Sequence, residues 1–212
     1  LYEKGLIYRG ECIINWCPRC HTALSNEEAE GQDNEGTLWH LRYPIDEAAA
    51  TAASASADAG ADAIGRLDDG RWYLTVSTTR PETMLGDTGV AVHPEDKRFS
   101  SLIGSDIELP FTGRRIPVVA DEHVDPGFGT GLVKVTPAHD PNDFEIATRT
   151  GLDILDVMTD GGKMNENVPE GFQGMERFEA REAVLEELSA LGLLAGKEAH
   201  THTVPHCYRC DT

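Results

Sequence analysis

Basic charge is scarce in this sequence. Against 37 Asp and Glu, its 212 residues carry 18 Lys and Arg, a formal net charge of −19 at pH 7. Neutralising phosphates takes Lys and Arg, so a generic nucleic-acid binder is excluded; contact with nucleic acid requires a local site and help from elsewhere. The acidity carries no information about fold. Long hydrophobic runs are missing as well. No stretch approaches a membrane span and no signal-peptide pattern opens the chain, so no membrane partner is expected. The sequence also lacks G-x-S-x-G, a Ser-His-Asp set and H-E-x-x-H. Any hydrolytic chemistry must therefore work by positioning and electrostatics rather than through a covalent nucleophile.

What is present describes a soluble globular chain. Hydrophobic residues make up 40% and mean hydropathy is −0.36, at a length that buries a real core. The first residue is Leu1, and L-Y-E-K-G-L-I-Y-R-G reads as the tail of a helix, so a piece of a longer protein is expected. Composition separates three zones. Residues 1–43 and 197–212 carry the cysteine pairs and a short strand-like run, T-L-W-H-L-R-Y. Residues 44–70 include the Ala-rich run from Ala48 to Ala63, which lacks aromatics and large aliphatics and reads as a flexible insertion at a hairpin tip. Residues 71–196 hold short β-branched runs, W-Y-L-T-V-S-T, T-G-V-A-V, I-P-V-V-A and G-L-V-K-V-T, bounded by Gly, Pro and Asp.

Helices are fewer. One is predicted from N-cap Asp140, with Pro141 in its first position, to about Thr150 before Gly151. Another spans Glu176 to Leu191, with Val184, Leu185, Leu188 and Leu191 on one face and Gly192 as its stop. The expected class is α+β or mainly β, a small barrel or mixed sheet with peripheral helices.

Four of the five cysteines form C-x-x-C pairs, Cys17 with Cys20 and Cys207 with Cys210. Four thiolates suit tetrahedral, structural zinc in a ribbon-like hinge that joins the chain ends. A redox C-x-x-C fits two remote copies poorly, and a disulfide scaffold leaves Cys12 over. His21, His200, His202 and His206 crowd these pairs as alternative ligands or, in the favoured reading, bystanders. A closed four-Cys site has no open position for catalysis.

Two further runs carry the functional signal: V-S-T-T-R-P-E-T-M-L-G-D-T-G-V-A-V-H-P-E-D from Val76, and G-T-G-L-V-K-V-T-P-A-H-D-P-N-D-F-E from Gly129. Together with W-C-P-R-C and the closing C-x-x-C, they resemble, in order and over nearly the whole chain, the editing domain of class I aminoacyl-tRNA synthetases for branched aliphatic amino acids. T-R-P-E-T-M-L-G-D with K-V-T-P-A-H-D-P-N-D is similar to the valyl group; isoleucyl enzymes tend to read T-R-P-W-T and leucyl ones T-R-P-D-T. The H-I-G-H and K-M-S-K-S runs of the synthetic site are absent. The Ala-rich insertion departs from the common pattern but lies outside the motifs. The resemblance implies a small β-barrel editing domain that hydrolyses the ester of mischarged threonyl-tRNA(Val). It also implies a cytoplasmic setting and, as partners, the tRNA 3′ end and the remaining catalytic and anticodon-binding domains of the same synthetase.

Such a site needs an anion for the substrate ammonium, polar groups for the threonine hydroxyl, a grip on the terminal adenosine and a positioned water. Asp143 is the ammonium partner expected from chemistry and from the resemblance. Thr136 and Asp140 suit the threonine hydroxyl. Lys134 shares a strand face with Thr136 by alternation, and its cation suits a ribose or phosphate oxygen or the ester carbonyl. Phe128 is expected to wall the pocket, with Thr78, Thr79 and Arg80 gripping the terminal nucleotide. The plainer reading of D-P-N-D is a helix start, with an N-cap and an acidic residue at N3. His139, before that cap, is read as structural more readily than as a general base. Rival readings are an isoleucyl or leucyl editing domain, a non-catalytic zinc-stapled module that docks tRNA, and a zinc hydrolase, which four cysteines leave no room for.

Overall fold

The computed structural model describes residues 1–10, 12–54 and 63–212. Its spine is β3 (Ala29–Ile45), a strand of 17 residues that serves two modules. Along its first part it pairs antiparallel with β10 (Leu194–Cys207), from Ala29 opposite Cys207 to Leu41 opposite Leu194. Its last residues, Trp39 to Ile45, pair on the other side with β5 (Trp72–Thr78). Neither the polar first half of β3 nor β10 shows a hydrophobic alternation, which is why the sequence marks only T-L-W-H-L-R-Y. Long mutual pairing holds the two strands as a ribbon, and β3 crosses the zone boundary drawn near residue 43.

The body is a mixed sheet ordered β4 (Ile64–Arg66), β5, β3, β7 (Asp106–Glu108), β8 (Arg115–Ala120), β6 (Gly89–Val92) and β9 (Leu132–Val135). β6 runs parallel to β8 and antiparallel to β9. The expected closed barrel does not form. Closure requires β9 to ladder with β4 or β5, and among the described residues it pairs with neither; the turn before β9 is tied to β5 by a side chain, Thr130 Oγ1 donating to the Thr75 carbonyl at 2.7 Å. The predicted mixed α and β content is correct, and the sheet is open.

The Ala-rich zone departs from expectation. Its first part is α1 (Glu47–Ser54), with Ala50 and Ala53 fully buried against the main core, where Ala63 and Ile64 also sit. Alanines serve here as small contact residues that let a helix approach closely. The remainder of the insertion, 55–62, lies outside the described residues. α2 (Pro141–Thr150) and α3 (Arg177–Ala190) match their predicted ranges. α3 buries Ala180, Val184, Leu185 and Leu188, but Leu191 is 53% exposed at the C-cap. The chain turns there through Gly192 at φ +70°, and buried Leu193 takes the core position instead.

T-R-P-E-T-M-L-G enters the body as a fully buried 3-10 helix, Pro81–Gly86. Glu82, 2% exposed, fixes it to α3 by accepting two hydrogen bonds from Arg181, each 2.7 Å. Asp87 follows with no solvent exposure. Its carboxylate accepts from Tyr43 Oη at 2.7 Å, from Lys134 Nζ at 3.2 Å and from Thr136 Oγ1. Arg114 Nη1 donates to the Asp87 carbonyl at 2.8 Å. Burial pushes the Asp87 carboxyl up and the Lys134 ammonium pulls it down. The three donors converging on its oxygens oppose that upward shift, and burial outweighs them.

Removing one partner of such a pair leaves a buried charge uncompensated. Lys134→Met is expected to lower unfolding free energy by about 3–5 kcal/mol in urea titrations. The double variant Asp87→Asn/Lys134→Met should be destabilised by less than the sum of its singles. Strict additivity would show that the two groups do not act as a pair.

Candidate functional site

The two motif runs meet where β5 ends and α2 begins. Thr78, buried at the last position of β5, accepts a hydrogen bond on its hydroxyl from the Arg80 backbone amide at 3.0 Å, which tightens the turn into Pro81. That turn aims the Arg80 guanidinium at the start of α2. Nη1 donates to the His139 carbonyl at 2.8 Å, and Nη2 to Asp140 Oδ2 at 2.7 Å.

Asp140 is the N-cap of α2, in extended backbone conformation, with Pro141 in the first position. Its Oδ1 accepts from the amides of Asn142 at 2.9 Å and Asp143 at 3.4 Å, so one oxygen caps the helix while the other holds Arg80. Asp143 sits in the first turn and points back toward β9, where its Oδ2 accepts from the Thr136 amide at 2.8 Å. It is 8% exposed. Burial pushes its carboxyl up to about 6; Lys134 opposes that shift and Asp140 adds to it. Asp140 and Asp143 line a cleft of about 500 Å³ with Phe128, Val133 and Ile146 on its apolar side and Arg149 at its edge.

Phe128, 53% exposed, lines this cleft. Its turn depends on Gly131, at φ +82°, where a Cβ would lie 2.5 Å from Arg98 Nη2 and 3.2 Å from the Pro126 carbonyl. Thr79 follows β5, half-buried. Lys134 and Thr136 do share a face, but it is the opposite face to Val133, and neither lines the cleft. Lys134 Nζ donates to Thr83 Oγ1 at 3.0 Å, to Asp87 and to Thr136 Oγ1, which itself donates to Asp87. An ammonium so committed is not free for a ribose, phosphate or ester oxygen; the Coulomb field it places behind Asp143 remains. Its buried counter-ion Asp87, and the structural pair Glu82 and Arg181, were not legible as site supports. The one signal was an acidic residue two positions before the apolar G-V-A-V strand, where an unpaired charge is costly.

His139 takes the structural role. Its Nε2 accepts from the Val157 amide at 3.1 Å, which requires an unprotonated nitrogen there, and burial pushes the ring down to about 4.

At the far end of the ribbon, the hairpin of β1 (Asn15–Cys17) and β2 (Thr22–Leu24) brings Cys17 and Cys20 beside Cys207 and Cys210. All four sulfurs lie within 4.8 Å of one another, with Cys17 and Cys210 Sγ 3.5 Å apart. Disulfide sulfurs sit at about 2.04 Å, whereas a tetrahedron with bonds of about 2.3 Å puts its sulfurs about 3.8 Å apart. The set therefore fits a metal ion. Crowding of this kind pushes the Cys20 thiol up to about 12, chiefly through its hydrogen bond with Cys210, and a bound cation would reverse that. Among the described residues the nearby histidines do not join the cluster.

The sequence family described as tRNA synthetases class I (I, L, M and V) matches residues 1–189. All 212 residues align at 49% identity with a valine–tRNA ligase of Thermotoga maritima, covering 22% of that protein. They align at 53% with one of Syntrophotalea carbinolica, covering 21%. The chain thus spans about a fifth of the length of these relatives. A crystal structure of GlLeuRS-CP1 superposes with a TM-score of 0.53 at 16% identity, over 76% of this chain and 98% of that one, and shows the shared fold. With Arg80 of the first motif run bonded to His139 and Asp140 of the second, and with this match over residues 1–189, the chain belongs to the class I tRNA synthetases of the I, L, M and V group.

Proposed function

We propose that this chain is an editing domain that hydrolyses the ester between a mischarged amino acid and the terminal ribose of tRNA, with threonyl-tRNA(Val) as substrate. The observation that carries the reading is Asp143, a nearly buried carboxylate that borders an open cleft beside Asp140 and Phe128. A valine-selective pocket facing threonine is the standing example of apolar selection that fails against an added hydroxyl. A second site can recognise the hydroxyl itself.

In this scheme Asp143 pairs with the substrate ammonium and fixes the orientation of the ester. Asp140, held by Arg80 and by its capping bonds, offers acceptor capacity to the threonine hydroxyl, and Phe128 walls the adenosine side. Thr78, Thr79 and Arg80 shape the turn that grips the terminal nucleotide. Thr136 acts through its backbone amide, which holds Asp143, and Lys134 through the field that favours Asp143 in its charged form. Water attacks the carbonyl carbon and the ribose oxygen leaves, taking a proton. The residues contribute position and electrostatics. Zinc is the metal that best suits the four thiolates, as a structural clamp on the ribbon. The cytoplasm and the remaining synthetase domains complete the proposed setting.

Asp143→Ala in the full-length synthetase should cut threonyl-tRNA(Val) deacylation by at least about 100-fold with its circular dichroism spectrum unchanged. Intact deacylation would favour a module that only docks tRNA. The pH dependence has a definite sign. The Asp143 carboxyl is raised to about 6, so it is neutral below that pH, and kcat/KM should climb as pH rises through about 6. The same shift means that the folded state holds this proton more tightly than the unfolded chain, with its carboxyl near about 3.9. Stability from this group is present below that value and lost as pH rises toward about 6. Asp143→Ala should flatten that slope in melts between pH 4 and 7. Elemental analysis should find one zinc per chain, and chelation should lower Tm; a metal-free protein with unaltered Tm would remove the clamp.

A further inference from the structure

The ribbon face next to the cleft carries two rings, His200 and His202, that the proposed hydrolysis does not use, and they continue from Phe128, which it does use. Phe128 lines the cleft, and its ring meets His200 edge-on, with centroids 6.2 Å apart and planes at 66°. His200 stacks on His202 at 5.8 Å and 17°. The two histidines are two residues apart on β10, so alternation places them on one face, and both are partly exposed. Across the ribbon His200 faces Gly36 and His202 faces Asn34. Gly36 leaves room for the His202 ring, since a Cβ there would lie 2.6 Å from His202 Cε1 and would displace it. His202 Nδ1 has no hydrogen-bond partner among the described residues, so packing sets the plane of that ring.

We propose that Phe128, His200 and His202 form a stacking track for the unpaired nucleotides that precede the terminal adenosine of the tRNA in the cleft. The proposal rests on the deacylase reading and extends it to the path of the polynucleotide. With the ester at Asp143, the chain of nucleotides has to leave the cleft, and Phe128 belongs both to the cleft wall and to the track. Single strands are held by ring stacking together with a basic groove, and stacking tolerates any base because every base has a π-face. A domain with net charge −19 cannot rely on the groove. Flat rings set by packing give it the other half of that mode.

The test compares two substrates in the full-length synthetase: threonyl-tRNA(Val), and adenosine carrying the same threonyl ester with no upstream nucleotides. His200→Ala and His202→Ala should each raise KM for the tRNA by about tenfold, leave kcat near wild type, and leave hydrolysis of threonyl-adenosine unchanged. His200→Phe, which keeps a ring, should hold the tRNA KM near wild type. An unchanged tRNA KM in both alanine variants overturns the track. So does an equal loss on both substrates, which would make His200 part of the cleft wall. A lowered Tm of the full-length protein with unchanged tRNA KM would assign the face to a protein domain instead. If the wild-type enzyme hydrolyses neither ester, the deacylase reading itself falls and takes the track with it.

Discussion

The buried pair of Asp87 and Lys134 is the constraint around which the rest is arranged. Removing a carboxylate and an ammonium from water costs several kcal/mol per ion unless geometry and hydrogen bonds compensate. Here the groups come from three separate elements. Tyr43 arrives from β3, Asp87 from the end of the 3-10 helix, Lys134 from β9 and Thr136 from the exit of β9. Arg114 adds a clasp from the turn before β8 onto the carbonyls of Asp87 and Leu85. Shifting any of these strands strands a charge, so the network selects one arrangement of an open sheet whose hydrogen-bond ladder does not close on itself. That selection then reaches the cleft: Thr136, tied to Asp87 through its hydroxyl, presents its amide to Asp143.

Much of this was legible because it obeys local rules. The D-P-N-D start, the T-G stop of α2 and the bounds of α3 come from capping chemistry, which acts within a few residues. The gathering of four cysteines was legible because C-x-x-C pairs constrain their own partners. What escaped depends on pairing across the chain. β10 and the polar half of β3 form a ribbon with no alternating pattern to announce it. The Ala-rich run looked too weak to order, yet α1 gains its burial from the small size of Ala50 and Ala53. Alternation correctly placed Lys134 and Thr136 together, but period two does not say which face is wet. Their real partner, Asp87, is 47 residues from Lys134 in sequence.

The acidity also reads differently in three dimensions. Arg80, Arg98, Arg149 and Arg181 are each tied to a carboxylate, with Arg149 held by Asp121. Cations spent on internal pairs leave little for phosphate. On the proposed reading, recognition in such a domain comes from shape, stacking and a few placed groups, with the long-range attraction of tRNA left to other parts of a full-length protein.

Asp143 shows how an ordinary helix start becomes a reactive wall. Its position in the first turn of α2 follows from the bonds by which Asp140 caps the Asn142 and Asp143 amides, and the positive end of the helix favours its charge. Burial works against that charge and, with Asp140 beside it, lifts the carboxyl to about 6. Lys134, screened behind Thr136, opposes the lift without touching the cleft. The balance leaves a carboxylate that is ionised near neutral pH yet poorly solvated, and such a group gains most from a cation brought to it. An ammonium entering the cleft supplies the missing charge. On the proposed reading, the capping geometry sets where a substrate's nitrogen would bind, and the buried pair behind it sets how strongly.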